Sequence, residues 1–289
     1  MTVRVVFDSN IFDVENFEAL EKSLLLTLFR KRRVVPVYGH VFVEETLRAY
    51  GAAGKRDFLA NRWLPFIVAT CDSICNDFNG IFHEELVRGR GPHARRLMAR
   101  RDYERFKTWM PKIPLDGTWR VWHASKAERD IEDGKRAAQR EVSKDIRAEV
   151  ADWKKAVGYQ PNKHGVPDFA RYIRTEIDHA GRAFVGSLVQ ANDKPAIADR
   201  WARNKPFYPY FTEFVFDMLY MAYYSMTKPS APIDLNAQAD LNVMAHLLQA
   251  EVLVSNEKGF LRTAFEEIWK PRGKVLMTGP EFLQYLSKF

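Results

Sequence analysis

Residues 3 to 12 read VRVVFDSNIF. A short apolar run, Val3 to Phe7, delivers the acid Asp8, then Ser9 and Asn10, and returns at once to Ile11 and Phe12. Continuous β-branched and aromatic runs of this length read as strands buried on both faces, the kind found in parallel sheets. The carboxylate at the end of such a strand is either a turn or helix cap, which Asp often supplies, or part of a site.

The rest of the first fifty residues extends the pattern. Phe17, Leu20, Leu24 and Leu28 recur at helical spacing, Val34, Val35 and Val37 form a second strand, and Phe42, Thr46 and Tyr50 a second helical stripe. The carboxyl-terminal part repeats the grammar. A helix starting near Asp240 precedes the strand Val252–Val254, and the strand Val275–Met277 precedes Thr278-Gly279-Pro280-Glu281, a helix-start signal. Alternating strands and helices predict an α/β fold with a mostly parallel sheet flanked by helices.

Between these ends the strand signals fade. Ile131, Ala138, Val142, Ile146, Val150, Trp153 and Val157 mark one long helix with a narrow apolar stripe, roughly 50 Å long if Gly134 does not break it. The predicted organisation is a discontinuous α/β core, residues 1–53 and 206–289, interrupted by an all-helical insertion over 54–205. The aromatic stretch Phe207, Tyr208, Tyr210, Phe211, Phe214, Phe216, Tyr220 and Tyr223 is expected to pack as a helix rather than to stack bases.

Composition sets limits. With 289 residues, 46% apolar and 13% aromatic, the chain can bury a substantial core. No window approaches the roughly 18 to 20 apolar residues of a bilayer span, and the first residues carry neither a basic leader nor a cleavable apolar region. The expectation is an intracellular, cytoplasmic protein that does not enter a membrane. Cys71 and Cys75 have no second pair to complete a zinc site, and their spacing suggests packed, reduced thiols on one helix face.

The net charge of +7 is concentrated. Arg88, Arg90, Arg95, Arg96, Arg100, Arg101, Arg105 and Lys107 stand against only Asp102 and Glu104 in one segment, and Arg30 to Arg33 form a smaller knot. Such clusters attract polyanions, or simply present a solvated face.

Acids recur at the ends of elements. Asp8 follows the first strand, Glu44 and Glu45 lie in the helix after the second, Asp240 opens the helix before the third, and Glu257 follows that third strand. In an open parallel sheet ligands bind beyond the carboxyl ends of the strands. Two carboxylates about 6 Å apart repel by roughly 3 kcal/mol at an effective dielectric near 20, so a gathered set calls for a counter-cation. Hard oxygen ligands suit Mg2+ or Mn2+. Taken singly, each acid has a plainer reading: Asp8 as a cap, Glu45 as a solvent-facing helix residue, Asp240 as a first-turn acid. Asp234, after Pro232 and Ile233, reads as a cap before it reads as a ligand.

Together the motifs resemble the PIN-like ribonuclease superfamily. Val5-Val6-Phe7-Asp8-Ser9-Asn10-Ile11 is similar to the family's opening strand and acid, and Glu44-Glu45-Thr46-Leu47-Arg48 to its second motif, with Glu45 in the better register. Asp240 followed by Ala245 matches the third, and Val252-Leu253-Val254-Ser255-Asn256-Glu257 the last, with Glu257 where the family has Asp. The resemblance covers the two ends and not the middle. It implies a three-layer PIN-like core and a divalent-metal-dependent endonuclease, in which Asp8, Glu45, Asp240 and Glu257 hold Mg2+ or Mn2+ and act in phosphodiester hydrolysis. Glu44 and Asp234 are alternate acids, and Ser9, Asn10, Ser255 and Asn256 would support the carboxylates by hydrogen bonding. The implied substrate is RNA, bound by the Arg88–Lys107 cluster. The Glu257 departure also admits an RNA-binding or assembly protein with a weak or inactive core, and the family admits a toxin held by an antitoxin, with the partner at the helical insertion. Other chemistries lack their motifs: Gly51-Ala52-Ala53-Gly54-Lys55 does not have the spacing of a phosphate-cradling loop.

Overall fold

The structure, a computed structural model, describes residues 2–39, 41–43, 45–46, 56–89, 100–109, 126–159, 168–228 and 233–289. In chain order the elements are β1 (Val3–Phe7), α1 (Val14–Glu21), α2 (Leu25–Arg30), β2 (Val34–Val37), α3 (56–69, with a π-type turn at Leu59–Trp63), α4 (Phe78–Arg88), α5 (Arg100–Trp109) and α6 (Lys126–Ala156). They continue with α7 (Phe169–Leu188), α8 (Lys194–Arg203), α9 (Pro209–Thr227), α10 (Ala237–Met244), β3 (Val252–Val254), α11 (260–269), β4 (Val275–Met277) and α12 (Gly279–Leu286). The fold is mixed α/β, with a four-stranded, all-parallel sheet flanked by helices.

The sheet order is β2-β1-β3-β4. All four strands lie where the apolar runs predict them; β1, β2 and β3 are largely buried, as parallel strands covered on both faces are, while Val275 of the edge strand β4 is exposed. Pro36 sits inside β2, opposite Val5. A proline is tolerated there because β2 is an edge strand, so the missing N–H faces away from the ladder.

The described residues form two compact units. One comprises those of Met1–Asp77, Arg96–Gly134 and His246–Phe289, and the other those of Phe78–Arg95 and Lys135–Ala245. These divisions differ from the expected 53/54 and 205/206, for reasons of packing. Leu59, Trp63, Leu64 and Ile67 of α3 belong to the same apolar core as Val5, Phe7 and Val254, so α3 goes with the sheet. At the centre of that core the Phe12 ring meets Phe42 and Trp63 edge-on, each at 5.0 Å, and Phe7 at 5.7 Å. Each such pair adds about 0.5–1.5 kcal/mol to area burial.

In the second unit α9 buries the aromatic stretch. Phe214 lies 4.6 Å from Phe82 of α4, Phe211 5.2 Å from Trp201 of α8, and Tyr220 5.1 Å from Phe169 of α7. Only Phe207, just before the helix, is strongly exposed, at 58%. Glu85 of α4 is fully buried, and its Oε2 accepts the Phe211 N–H at 2.9 Å. That bond satisfies one of the donors left over in the first turn of α9, which has no side-chain cap of its own.

Two local expectations need correction. The stripe Phe17 to Leu28 forms two helices rather than one. Ser23 lies between them, where its hydroxyl donates to Leu20 O at 2.6 Å and accepts from Leu25 N–H at 3.2 Å, competing with the helical backbone and leaving Leu24 at the surface. Cys71 and Cys75 are not on a helix but in the turn after α3. Ile74 there bridges to Tyr38, and Cys75 N–H donates to Tyr38 O at 2.9 Å. Both thiols are buried and in no disulfide. In α6, which runs unbroken through Gly134, the stripe is covered only in part: Val150 is buried, while Trp153 and Val157 are exposed. No described helix is long and apolar enough to cross a membrane.

Candidate functional site

The sheet register builds an edge. Phe7 pairs with Val254, Val254 with Met277, and Val6 with Val37. The residues that leave the four strands at their carboxyl ends are therefore Tyr38, Asp8, Ser255 and Thr278. The ladder runs one residue beyond the strands, since Asp8 N–H donates to Val254 O and Ser255 N–H to Met277 O, both at 3.0 Å. A rigid backbone thus carries Asp8 and Ser255 side by side.

Asp8 occupies the N-cap position of the 3-10 turn Ser9–Phe12, but its side chain makes no capping hydrogen bond there. It turns instead toward β3. Its Oδ2 accepts the Ser255 hydroxyl at 2.6 Å and the Asn10 Nδ2–H at 2.8 Å. Asn10 Nδ2 also reaches Ser255 Oγ at 3.3 Å, and Ser255 Oγ accepts the Glu257 N–H at 3.0 Å. Ser255 is 1% exposed, so this hydroxyl is committed to the network.

Burial pushes the Asp8 carboxyl above its ordinary value. The Ser255 hydroxyl and the backbone amides of Ser9 and Asn10 pull the other way, and the Glu257 carboxylate adds a smaller upward push. Burial outweighs the donors, so an ionised Asp8 is held at a cost. A nearby cation would remove that cost. Both side-chain hydrogen bonds fall on Oδ2, which leaves Oδ1 outside this pair.

Glu257 is exposed, and its Oε1 accepts the N–H groups of Lys258 at 3.0 Å and Gly259 at 2.9 Å. One oxygen thus shapes the turn after β3, and Oε2 is the atom that can turn toward a ligand. Asn256 is half-buried between strands: its N–H donates to Asn10 Oδ1 at 3.1 Å, and its Oδ1 accepts the Gly279 N–H at 2.9 Å. Ser9 is half-buried in the same turn.

The remaining expected residues stand as follows. Glu45 is half-buried in helical residues after β2, while Glu44 lies outside the described residues. Asp240 is half-buried in the first turn of α10 and belongs to the second compact unit. Asp234 is exposed, and its Oδ1 accepts the Asn236 N–H at 2.6 Å, closing a turn before α10. Of the basic cluster, Arg90, Arg95 and Arg96 lie outside the described residues. Arg88, exposed on α4, pairs with Glu84 at 3.3 Å. Arg100 begins α5, on which Arg101 and Arg105 are exposed and Lys107 pairs with Glu104 at 3.0 Å. Among the described residues no group of three or more His, Cys, Asp or Glu side chains is arranged to hold a metal ion.

Sequence reasoning passed over His246. Its ring is 3% exposed, its Nδ1 is buried with no hydrogen-bond partner among the described residues, and burial pushes its pKa down to about 4, against a smaller upward pull from Asp77. The ring lies against Gly39 at the end of β2, where an added Cβ would stand 2.3 Å from Nε2. The signal was available, since a glycine closing an apolar strand often marks a close approach.

No family model, curated protein or solved structure matches the chain. The oxygen donors at this edge, Asp8 Oδ1 and Glu257 Oε2, suit a hard cation such as Mg2+ or Mn2+ in kind.

Proposed function

We propose that the chain is a divalent-metal-dependent endonuclease with a PIN-like core, acting on RNA. The observation that carries this reading is Asp8: a carboxylate at the carboxyl edge of a parallel sheet, desolvated and held by Ser255 and Asn10. In this reading Asp8 binds the cation, with Glu45 and Glu257 as further oxygen donors. Bound there, Mg2+ or Mn2+ supplies charge neutralisation and Lewis acidity toward a phosphodiester. The protein's own part is to keep Asp8 ionised and oriented through Ser255 and Asn10. The exposed Arg101 and Arg105 of α5 offer phosphate contacts, each adding a salt-dependent increment to affinity.

Incubation with end-labelled RNA and Mn2+ tests the reading. Cleavage that disappears in Asp8→Asn is the expected result. No cleavage by the wild type, or cleavage undiminished in that variant, refutes it.

One observation favours a second reading, an RNA-binding or assembly protein with an inactive core: Glu257 Oε1 is engaged by two amides of its own turn. Calorimetry separates the two, because an inactive core takes up no Mn2+.

A further inference from the structure

We propose that Asn256 is a positioning residue for the Asp8 carboxylate, acting through Asn10, so that the start of α12 helps to set the candidate site. The inference rests on the nuclease reading only for its functional consequence; the positioning itself is a matter of hydrogen-bond direction.

A backbone N–H can only donate. Because the Asn256 N–H points at the Asn10 side chain, 3.1 Å from it, the atom there must be the acceptor Oδ1. The other end of the Asn10 amide is then the donor Nδ2, and it is this end that faces Asp8 Oδ2 at 2.8 Å and Ser255 Oγ at 3.3 Å. With the Asn10 amide reversed, its carbonyl oxygen would confront the carboxylate, replacing a charge-assisted hydrogen bond by repulsion. The direction of one amide therefore decides whether Asp8 is supported or opposed.

What fixes the Asn256 backbone is its own side chain. Its Oδ1 accepts the N–H of Gly279, the first residue of α12. That N–H is one of the helix's leftover donors, and Thr278 and Glu281 already lock the same turn in a reciprocal capping box. The chain of bonds runs from α12 through Asn256 to Asn10 to Asp8 and ties together the ends of β4, β3 and β1. Space around Gly279 is ordinary: a Cβ there would be 3.5 Å from Asn256 Oδ1 and 3.6 Å from Ile11 Cδ1. Position 279 thus contributes its N–H, and not a lack of side chain.

The test uses the full chain with Asn256→Ala and Asn256→Asp, the latter keeping an acceptor for the Gly279 N–H. Two quantities are read: solvent exchange of the Asn10 side-chain amide protons by NMR, and the Mn2+ concentration giving half-maximal RNA cleavage. In Asn256→Ala the Asn10 amide protons exchange faster, and the Mn2+ requirement rises roughly tenfold, the low end of the effect of losing a ligand's hydrogen-bond support. Asn256→Asp restores both. An Asn10 signal unchanged in Asn256→Ala, or not restored in Asn256→Asp, overturns the proposal. If Asn256→Ala does not fold, Asn256→Gln moves the acceptor out of place by one methylene and gives the same contrast. A wild type that neither binds Mn2+ nor cleaves, while the Asn10 signal moves and returns as described, refutes the nuclease reading and leaves the positioning role standing.

Discussion

Replacing Ser255 by Ala removes the hydroxyl at the centre of the Asp8 network. Three hydrogen bonds change. The bond to Asp8 Oδ2, at 2.6 Å, has a charged acceptor and is worth about 1.5–3 kcal/mol. The contact from Asn10 Nδ2 is long, at 3.3 Å, and that nitrogen keeps Asp8 at 2.8 Å. The Glu257 N–H belongs to an exposed residue and can turn to water, so its loss adds little. The sum is about 2 kcal/mol at pH 7, roughly a thirtyfold change in the opening equilibrium.

The same reasoning fixes a pH dependence. Asp8 has a folded pKa raised above 3.8, so the folded state binds its proton more tightly than the unfolded chain does. Its contribution to stability is fully present below 3.8 and is lost as pH rises through the folded value. The Ser255 hydroxyl opposes that rise, so Ser255→Ala pushes the pKa further up and deepens the loss at neutral pH. Below both pKa values the lost bond is to a neutral carboxyl, worth about 1 kcal/mol. Native-state hydrogen exchange at the β1 amides, corrected for intrinsic rates, reads the local free energy of this unit. The expected deficit is about 2 kcal/mol at pH 7, narrowing to about 1 kcal/mol near pH 3, with Ser255→Thr close to wild type because it keeps the hydroxyl. A deficit equal at both pH values, or below about 0.5 kcal/mol at pH 7, would refute the bonding scheme.

Two glycines on α7 give opposite expectations. A Cβ at Gly181 would stand 2.0 Å from the buried Trp201 ring, whose Nε1–H donates to Thr212 at 3.1 Å, so Gly181→Ala displaces the ring and costs about 1–3 kcal/mol in thermal or chemical unfolding. A Cβ at Gly186 would meet no described atom within 4 Å, and Gly186→Ala stabilises the helix by about 0.5–1 kcal/mol. His246, with its pKa pushed down to about 4 from 6.5, is neutral when folded at pH 7. Its contribution is present above 6.5 and lost as pH falls toward 4, so a two-dimensional NMR titration should show its ring unprotonated at pH 5.5; a midpoint near 6.5 contradicts its burial.

The strands were legible because their signal is local. Val3–Phe7, Val34–Val37, Val252–Val254 and Val275–Met277 are short, mostly apolar runs bounded by polar residues, and the capping box at Thr278 and Glu281 is local as well. The length of α6 was legible from spacing over many turns. The break between α1 and α2 was harder, since Leu24 keeps the apolar rhythm while Ser23 diverts the backbone. At the candidate site the resemblance marked Asp8, Asn10, Ser255 and Asn256 and implied hydrogen bonds to the carboxylates, but not that Asn256 would bond to Asn10 and Gly279.

By itself the sequence determined an α/β chain with apolar strands, a long charged helix and an acid after its first strand, because periodicity and residue type are properties of neighbours along the chain. Only the tertiary structure decided that Asp8 turns from the cap toward Ser255, 247 residues away, and that Glu85 takes the leftover amide of Phe211, 126 residues away. It likewise placed α3 with the sheet and α9 with the helices. The physical reason is common to all of these. A hydrogen bond or an edge-on ring contact is set by distances of a few ångströms in space, and only the register of the strands and the packing of the helices bring such partners together.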